Sequence, residues 1–100
     1  MKPLIFAGTV EGRQLAEALS KRGIRPTVSV ATPYGGSLLR GLDAEILCGR
    51  LDRPQMASLM RREGFTLVLD ATHPYAAEVT ATIRAACGET GLPYLRLRRE

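Results

Sequence analysis

The feature that most constrains this sequence is a regular alternation of short apolar runs with segments of helical periodicity. The runs Leu4-Ile5-Phe6 and Leu67-Val68-Leu69 are apolar without alternation, which is typical of strands buried on both faces. Between such runs, apolar residues recur at helical spacing, as Leu15, Ala16 and Leu19 do. Strands that alternate with helices predict a parallel sheet covered by helices on both faces. We therefore predict an α/β fold, a doubly wound parallel sheet in a three-layer α/β/α arrangement.

The pattern gives approximate bounds for each element. Strands are predicted over Pro3–Ala7, Thr27–Ala31, Glu45–Cys48, Thr66–Asp70 and Tyr94–Leu97, in the spatial order 3-2-1-4-5. A first helix is predicted from Glu11 to Arg22. A second helix should begin after an N-cap at Asp52, with Gln55 as its capping-box partner, and end at Gly64. A third helix should end at Gly91, with an inner face formed by Ala76, Val79, Ile83 and Cys87. The segment 32–36 reads as a loop, followed by one helical turn over Ser37–Arg40.

Size and composition exclude several classes of protein. One hundred residues are enough for one domain with one core. No stretch approaches the roughly 20 apolar residues of a membrane span, and no secretory signal follows Met1, so we expect a cytoplasmic protein. Cys48 and Cys87 form no disulfide or zinc pattern and are expected to be buried free thiols. A single histidine, His73, excludes a multi-histidine metal site, and we expect no metal.

The charge distribution favours a small anionic ligand over nucleic acid. The net charge is +4, carried by basic residues that are spread along the chain. Three Tyr, two Phe and no Trp provide no stacking series for single-stranded nucleic acid. We therefore expect a polyanionic small molecule as partner, although many of these charges can equally belong to a solvated surface.

A glycine turn follows the first strand and opens the first helix. Gly8 and Gly12 let the backbone turn tightly and approach a ligand, and the N–H groups of a helix's first turn attract phosphates. Ala7 stands where the dinucleotide fingerprint would place a further glycine, so a purely structural turn remains an alternative. Glu11 suits the helix dipole but would repel a pyrophosphate placed very close, so it either accepts bonds from hydroxyl or N–H groups or simply begins the helix.

The predicted strand order brings a second loop to the glycine turn. Ligands of open parallel sheets bind beyond the carboxyl ends of the strands, where the strand order reverses. Here the reversal lies between strands one and four, so the loop Asp70–Tyr75 should face the glycine turn and carry His73 and Tyr75 into the crevice. Tyr34 lies in a loop that could fold over the same crevice. Ordering of the loop is the structural alternative for these three side chains.

The end of strand two bears on the choice of cofactor. NAD-binding proteins place an acidic residue there to hold the ribose hydroxyls, whereas this chain has Ala31 and Thr32. The hydroxyls of Ser29 and Thr32, with the charge of Arg50 after strand three, could instead receive a 2′-phosphate. NADPH is therefore predicted in preference to NADH.

Several segments in succession carry a family resemblance: Gly8-Thr9-Val10-Glu11-Gly12-Arg13, Val28 to Gly35, Gly49-Arg50-Leu51-Asp52, Asp70-Ala71-Thr72-His73-Pro74-Tyr75-Ala76, and Pro93-Tyr94-Leu95-Arg96. In this order the chain resembles the precorrin-6A reductase family of cobalamin biosynthesis. The resemblance implies a Rossmann-like, nucleotide-binding N-terminal domain over residues 1–100, with the family's second domain absent from this chain. It also implies NADPH-dependent reduction of precorrin-6A, or cobalt-precorrin-6A, to the 6B form. The substrate would be a polycarboxylate corrinoid precursor.

The positions of these residues around the predicted crevice, taken with that reaction, give candidate roles to individual residues. The cofactor contacts are expected from Gly8, Thr9, Glu11, Gly12, Arg13, Ser29, Thr32, Arg50 and Thr72, and the substrate contacts from Tyr34, His73 and Tyr75. His73 and Tyr75 are the catalytic candidates, because reduction of a C=C bond consumes a proton that either side chain, or water, could supply. Two other readings stay open: a dinucleotide-binding module without turnover, because the substrate pocket should need the second domain, and a flavodoxin-like domain, which flavin spectroscopy would reveal.

Overall fold

A five-stranded parallel sheet organises residues 1–97, the part of the chain that the computed structural model describes. Its strands are β1 (Pro3–Phe6), β2 (Thr27–Val30), β3 (Glu45–Cys48), β4 (Leu67–Asp70) and β5 (Tyr94–Arg96). The helices are α1 (Val10–Lys21), α2 (Pro33–Ser37), α3 (Arg53–Arg62) and α4 (Ala77–Thr90). The strand order is β3-β2-β1-β4-β5, and every pairing is parallel. The predicted fold class and order are confirmed; residues 98–100 of the predicted domain lie outside the described residues.

The sheet is buried on both faces because consecutive residues of β1 point into different cores. Leu4 and Phe6 belong to a cluster that includes residues of α3 and α4, whereas Ile5 and Ala7 belong to a cluster with Ala16 of α1. Strand residues alternate between the two faces, so an uninterrupted apolar run supplies both cores at once.

No helix within residues 1–97 has both the length and the apolar character needed to cross a membrane.

Local sequence signals set the helix ends. The carboxylate of Asp52 accepts from the Gln55 N–H at 2.9 Å, and the Gln55 side chain accepts from the Asp52 N–H at 2.8 Å, which confirms the predicted capping box before α3. Gly23, Gly64 and Gly91 have φ angles of 81°, 69° and 80°, the left-handed conformation that ends a helix.

The segment after β2 differs from the prediction. The helix α2 begins at Pro33, whereas the sequence analysis placed a loop at 32–36 and a turn at Ser37–Arg40. The Thr32 hydroxyl accepts from the Gly35 N–H at 3.2 Å, and Pro33 occupies the first turn, where its missing N–H costs nothing. This cap favours a helix that begins at Pro33, although Gly35 and Gly36 have low helix propensity.

The two cysteines have different environments. Cys87 is 3% exposed and packs in the core between the sheet and α4, as predicted. The prediction that Cys48 is buried is wrong, because it lies exposed at the end of the edge strand β3. Edge strands lack a neighbour on one side, so burial on both faces does not extend to β3.

Candidate functional site

The glycine turn and the loop after β4 are bonded directly to each other at the carboxyl edge of the sheet. The hydroxyl of Thr9, the N-cap of α1, accepts from the Gly12 N–H at 3.1 Å and donates to the carbonyl of Ala71 at 2.8 Å. The Ala71 N–H in turn donates to the Phe6 carbonyl at 2.8 Å. Thr9 therefore serves both as helix cap and as bridge across the switch point, where the strand order reverses.

The two glycines of this turn have different physical roles. Gly8 has a φ of +141°, is exposed, and has open space where a Cβ would lie, so a ligand can approach its backbone. Gly12 is buried, and a Cβ there would lie 2.7 Å from the Cβ of Ala7. Gly12 therefore allows α1 to pack closely on the end of β1. The glycine at this position has a structural role in addition to any role in the approach of a ligand.

A second helix start lies beside the glycine turn. A Cβ on Gly35 would lie 3.1 Å from the Cβ of Val30 and 3.6 Å from the Cα of Gly8, so α2 also packs tightly at this edge. The side chain of Tyr34, the residue before Gly35, is 72% exposed. Tyr34 therefore lies on a helix and not on a loop, next to a residue that approaches the glycine turn.

The side chain at the end of β4 is the centre of a buried hydrogen-bond network. Asp70 is fully buried, and its Oδ1 accepts from the Thr72 N–H at 3.0 Å and the Thr72 hydroxyl at 2.7 Å. Its Oδ2 accepts from the hydroxyls of Thr80 at 2.8 Å and Tyr94 at 2.7 Å. A guanidinium nitrogen of Arg96 lies 2.9 Å from Oδ1. Such a set of donors compensates the cost of burying a carboxylate.

The network changes the acidity of its members. Burial alone would raise the pKa of Asp70, but hydrogen bonds from Thr72, Tyr94 and Thr80 outweigh it and hold the pKa below the ordinary value. Burial and the bond to Asp70 raise the pKa of the Tyr94 hydroxyl to about 12. Burial, followed by the charge of Asp70, raises the pKa of Cys87 to about 11. Asp70 is therefore ionised at neutral pH, while Tyr94 and Cys87 are neutral.

The loop from His73 to Tyr75 is exposed, as a ligand-contacting loop should be. The Nδ1 atom of His73 accepts from the Tyr75 N–H at 3.1 Å, and the two rings lie 5.1 Å apart between centroids. In the neutral imidazole this leaves the hydrogen on Nε2, so His73 can donate a hydrogen bond outward. The Tyr75 side chain is 90% exposed, so neither ring is part of the core.

The residues predicted to bind a cofactor lie in more than one part of the fold, and five of them lie at or near the glycine turn. Gly8, Thr9, Glu11 and Gly12 form the turn and first helical turn of α1, and Thr72 lies in the loop after β4 beside Thr9's partner Ala71.

Three other predicted contacts have distinct settings. Thr32 and Arg50 lie two residues beyond Val30 and Cys48, which are paired in the register of β2 and β3. Ser29 is only 5% exposed, so its hydroxyl is closed to a ligand in this structure.

Arg13 has a role in the fold that the sequence analysis did not foresee. Its guanidinium donates to the carbonyls of Leu38 at 2.7 Å and Arg40 at 3.1 Å, and it pairs with Glu17 on the same helix. These carbonyls follow α2, so Arg13 binds the segment after α2 to α1. Arg13 therefore makes structural contacts, and the cofactor contact expected from it stays a prediction.

Three members of the Asp70 network were not predicted as site residues: Thr80, Tyr94 and Arg96. Asp70 is paired with Arg96 in the register of β4 and β5, and Tyr94 lies two residues earlier on the same face of β5. A Tyr-x-Arg pattern in the strand next to one that ends in Asp was the available signal. Thr80 lies one turn into α4 and carried no such signal.

Two shallow grooves lie near the loop after β4. A shallow groove of about 540 Å³ lies beside the loop and is lined by Pro74, Ala77, Thr80, Ala81, Arg84 and Arg96. A second groove of about 480 Å³ continues along α4 and β5. Within residues 1–97, no group of three or more His, Cys, Asp or Glu side chains is arranged to hold a metal ion.

Comparison with known proteins identifies the family. The family described as Precorrin-6x reductase CbiJ/CobK matches residues 3–100. The chain belongs to this family. It is 34% identical over 96 residues to the cobalt-precorrin-6A reductase of Salmonella typhimurium, covering 96% of this chain and 36% of that protein. It is 33% identical over 101 residues to the precorrin-6A reductase of Rhodobacter capsulatus, covering 96% of this chain and 38% of that one.

A solved structure extends the similarity to three dimensions. The structure of a CobK precorrin-6A reductase superposes with a TM-score of 0.89 at 30% identity, covering all of this chain and 39% of the other. The resemblance inferred from the sequence motifs is confirmed. The chain spans between one third and two fifths of the length of these relatives.

Proposed function

We propose that this chain is the nucleotide-binding part of an NADPH-dependent reductase that converts precorrin-6A, or its cobalt-containing form, to the 6B form. The observation that carries the proposal is the bridge from Thr9 to Ala71, which holds the glycine turn against the loop of His73 and Tyr75. A cofactor on the turn and a substrate on the loop would then lie side by side. The family relationship supports the same reaction.

The glycine turn suits a dinucleotide phosphate. At Gly8 the exposed backbone and the open space at the Cβ position allow phosphate oxygens to approach main-chain atoms. The dipole of α1, a helix of 12 residues, favours negative charge at the same point. When bound there, NADPH supplies the hydride for the reduction.

The chain's own residues would bind and orient the two reactants. The Nε2–H group of His73 can donate to a substrate carboxylate, and the exposed rings of Tyr34 and Tyr75 offer apolar surface to a macrocycle. His73 could supply a proton only when both ring nitrogens carry hydrogen, a form in which Nδ1 no longer accepts from the Tyr75 N–H. The Tyr75 hydroxyl is a second proton donor within reach of the same loop.

The preference for NADPH rests on the edge formed by β2 and β3. Thr32 and Arg50 follow these neighbouring strands at equivalent positions, and no carboxylate follows β2 until after α2. Arg50 is exposed and has no ion-pair partner among residues 1–97, so it is available to a 2′-phosphate. A charge-assisted bond to such a phosphate contributes about 1.5–3 kcal/mol.

Calorimetric titration of the purified chain with NADPH and NADH tests this proposal. We expect NADPH to bind about tenfold more tightly, which corresponds to about 1.4 kcal/mol. Arg50→Ala should remove most of that difference and leave NADH affinity unchanged. Arg22→Ala is the matched control, because Arg22 is an equally exposed arginine at the far end of α1. Equal affinities for the two nucleotides, or tighter NADH binding, would contradict the proposed cofactor.

A further inference from the structure

Arg96 reaches from β5 into the backbone of the loop that follows β4. Its Nη2 atom donates to the carbonyl oxygens of Thr72 at 3.3 Å and His73 at 3.4 Å. Its Nη1 atom lies 2.9 Å from the Asp70 carboxylate. One planar guanidinium therefore connects the buried carboxylate with two consecutive peptide groups of the loop, a geometry that the point charge of a lysine cannot reproduce.

The hydroxyls around Asp70 fix the orientation of this guanidinium. Thr72 and Thr80 each donate their single hydroxyl hydrogen to Asp70, so their lone pairs are turned toward Nη1 of Arg96 at 3.2 and 3.1 Å. Asp70 is fully buried, and the Arg96 side chain is only 23% exposed. An ion pair shielded in this way is screened little by solvent.

The loop transmits this constraint to the candidate catalytic side chains. The His73 carbonyl that accepts from Arg96 also accepts from the Ala76 N–H at 2.9 Å, at the entry to α4. The His73 ring is tied through Nδ1 to the Tyr75 N–H. A shift of the His73 peptide would therefore move both rings and the start of the helix.

We propose that Asp70 and Arg96 are positioning residues for the reductase reaction, acting through the backbone of Thr72 and His73 to hold the His73–Tyr75 loop in its ligand-facing shape. This inference rests on the proposed function, in which that loop contacts the substrate. It also gives β5 a part in the site, because Arg96 is its last residue.

Three variants separate positioning from stability. Arg96→Lys keeps a positive charge near Asp70 but cannot span the carboxylate and both carbonyls. Arg84→Lys is the matched control, because Arg84 lies over the Tyr94 ring at 5.6 Å and makes no bond to the loop. Tyr94→Phe removes one hydrogen bond from Oδ2 of Asp70, whereas Thr72 and Arg96 contact Oδ1, so it should lower stability without releasing the loop.

Amide hydrogen exchange and imidazole ¹⁵N NMR of the chain measure the loop directly. His73 is the chain's only histidine, so its ring gives one unambiguous set of signals. In Arg96→Lys we expect the amides of Thr72 and Ala76 to exchange about tenfold faster, and the Nδ1 signal to lose its hydrogen-bond shift. Arg84→Lys and Tyr94→Phe should match the wild type in both measurements, even though Tyr94→Phe melts at a lower temperature. Wild-type exchange in Arg96→Lys would overturn the proposal.

Turnover in the full-length protein that contains this chain measures the functional consequence. A misplacement of about 1 Å can cost up to 100-fold in rate, so we expect Arg96→Lys to lower kcat for the corrinoid about 10- to 100-fold. KM for NADPH should change by a smaller factor, because most of the predicted cofactor contacts lie outside this loop. Arg84→Lys should retain the wild-type kcat. A wild-type kcat in Arg96→Lys, together with faster loop exchange, would overturn the role in the reaction. Absence of corrinoid reduction by the wild type would instead refute the proposed function, and loop exchange would still decide whether Arg96 holds the loop.

Discussion

Replacing Gly12 and Gly88 by alanine should change stability in opposite directions, although both glycines lie in helices. Gly88 is exposed in α4 with nothing within 4 Å of a Cβ, so Gly88→Ala should stabilise the protein by about 0.5–1 kcal/mol through helix propensity. At Gly12 a Cβ would lie 2.7 Å from the Ala7 Cβ and 3.3 Å from the Ala7 Cα. In Gly12→Ala these close contacts should cost more stability than the higher helix propensity of alanine provides.

Ala7 has little freedom to move aside. Its Cβ is attached directly to backbone whose N–H donates to the Ser29 carbonyl at 2.9 Å, and the Cβ of Ala71 also lies 3.5 Å from the added methyl group. Overpacking of a tight core costs about 1–3 kcal/mol, so the net effect of Gly12→Ala should be a loss of about 1–2 kcal/mol. For a domain of this size that corresponds to a fall in Tm of roughly 5–15 °C.

Thermal and urea unfolding, followed by circular dichroism, measure both variants against the wild type. Gly88→Ala should raise the midpoint, which shows that the assay resolves the propensity term. Gly12→Ala should lower the midpoint without changing the urea m-value, because the surface exposed on unfolding is the same. If Gly12→Ala stabilised the protein as much as Gly88→Ala, the close approach of α1 to β1 would not be the reason for glycine at this position.

Three further predictions follow from the capping box, the buried carboxylate and the exposed loop. Asp52→Ala should cost about 1 kcal/mol in urea unfolding through loss of the α3 cap, whereas Asp43→Ala, which breaks an exposed ion pair, should cost less than about 0.5 kcal/mol. The lowered pKa of Asp70 means that its stabilisation is complete above the unfolded-state value of about 3.9 and is lost as the pH falls through the lower folded-state pKa. Unfolding measured from neutral to strongly acidic pH should show this loss, and Asp70→Asn should remove it. In the full-length protein, His73→Ala and Tyr75→Phe should reduce turnover more than they reduce Tm, since both side chains are exposed; wild-type rates with a lower Tm would mean that the loop is structural.

Local signals predicted most helix ends and missed one. The capping box of Asp52 and Gln55 depends on residues three apart, so it can be read from the sequence, and it is present as expected. The start of α2 was also encoded locally, in Thr32 followed by Pro33, but the glycines at 35 and 36 favoured a loop. Tertiary packing resolves this conflict, because Gly35 fits closely against Val30 and the glycine turn.

The sequence by itself predicted the fold class and the strand order, and with them the edge of the sheet at which the candidate site is expected. Apolar runs without alternation require a sheet covered on both faces, and once the order 3-2-1-4-5 is taken, the glycine turn and the His73 loop must meet at the switch point. Only the tertiary structure decided which side chains contact one another there. Arg13 donates a hydrogen bond to the segment after α2. Asp70 contacts Thr80, Tyr94 and Arg96, which are 10 to 26 residues away in the sequence. The register of β4 against β5 and the packing of α4 determine these hydrogen-bond partners. The periodicity of the sequence does not encode them, because the residues come together only when separate elements pack.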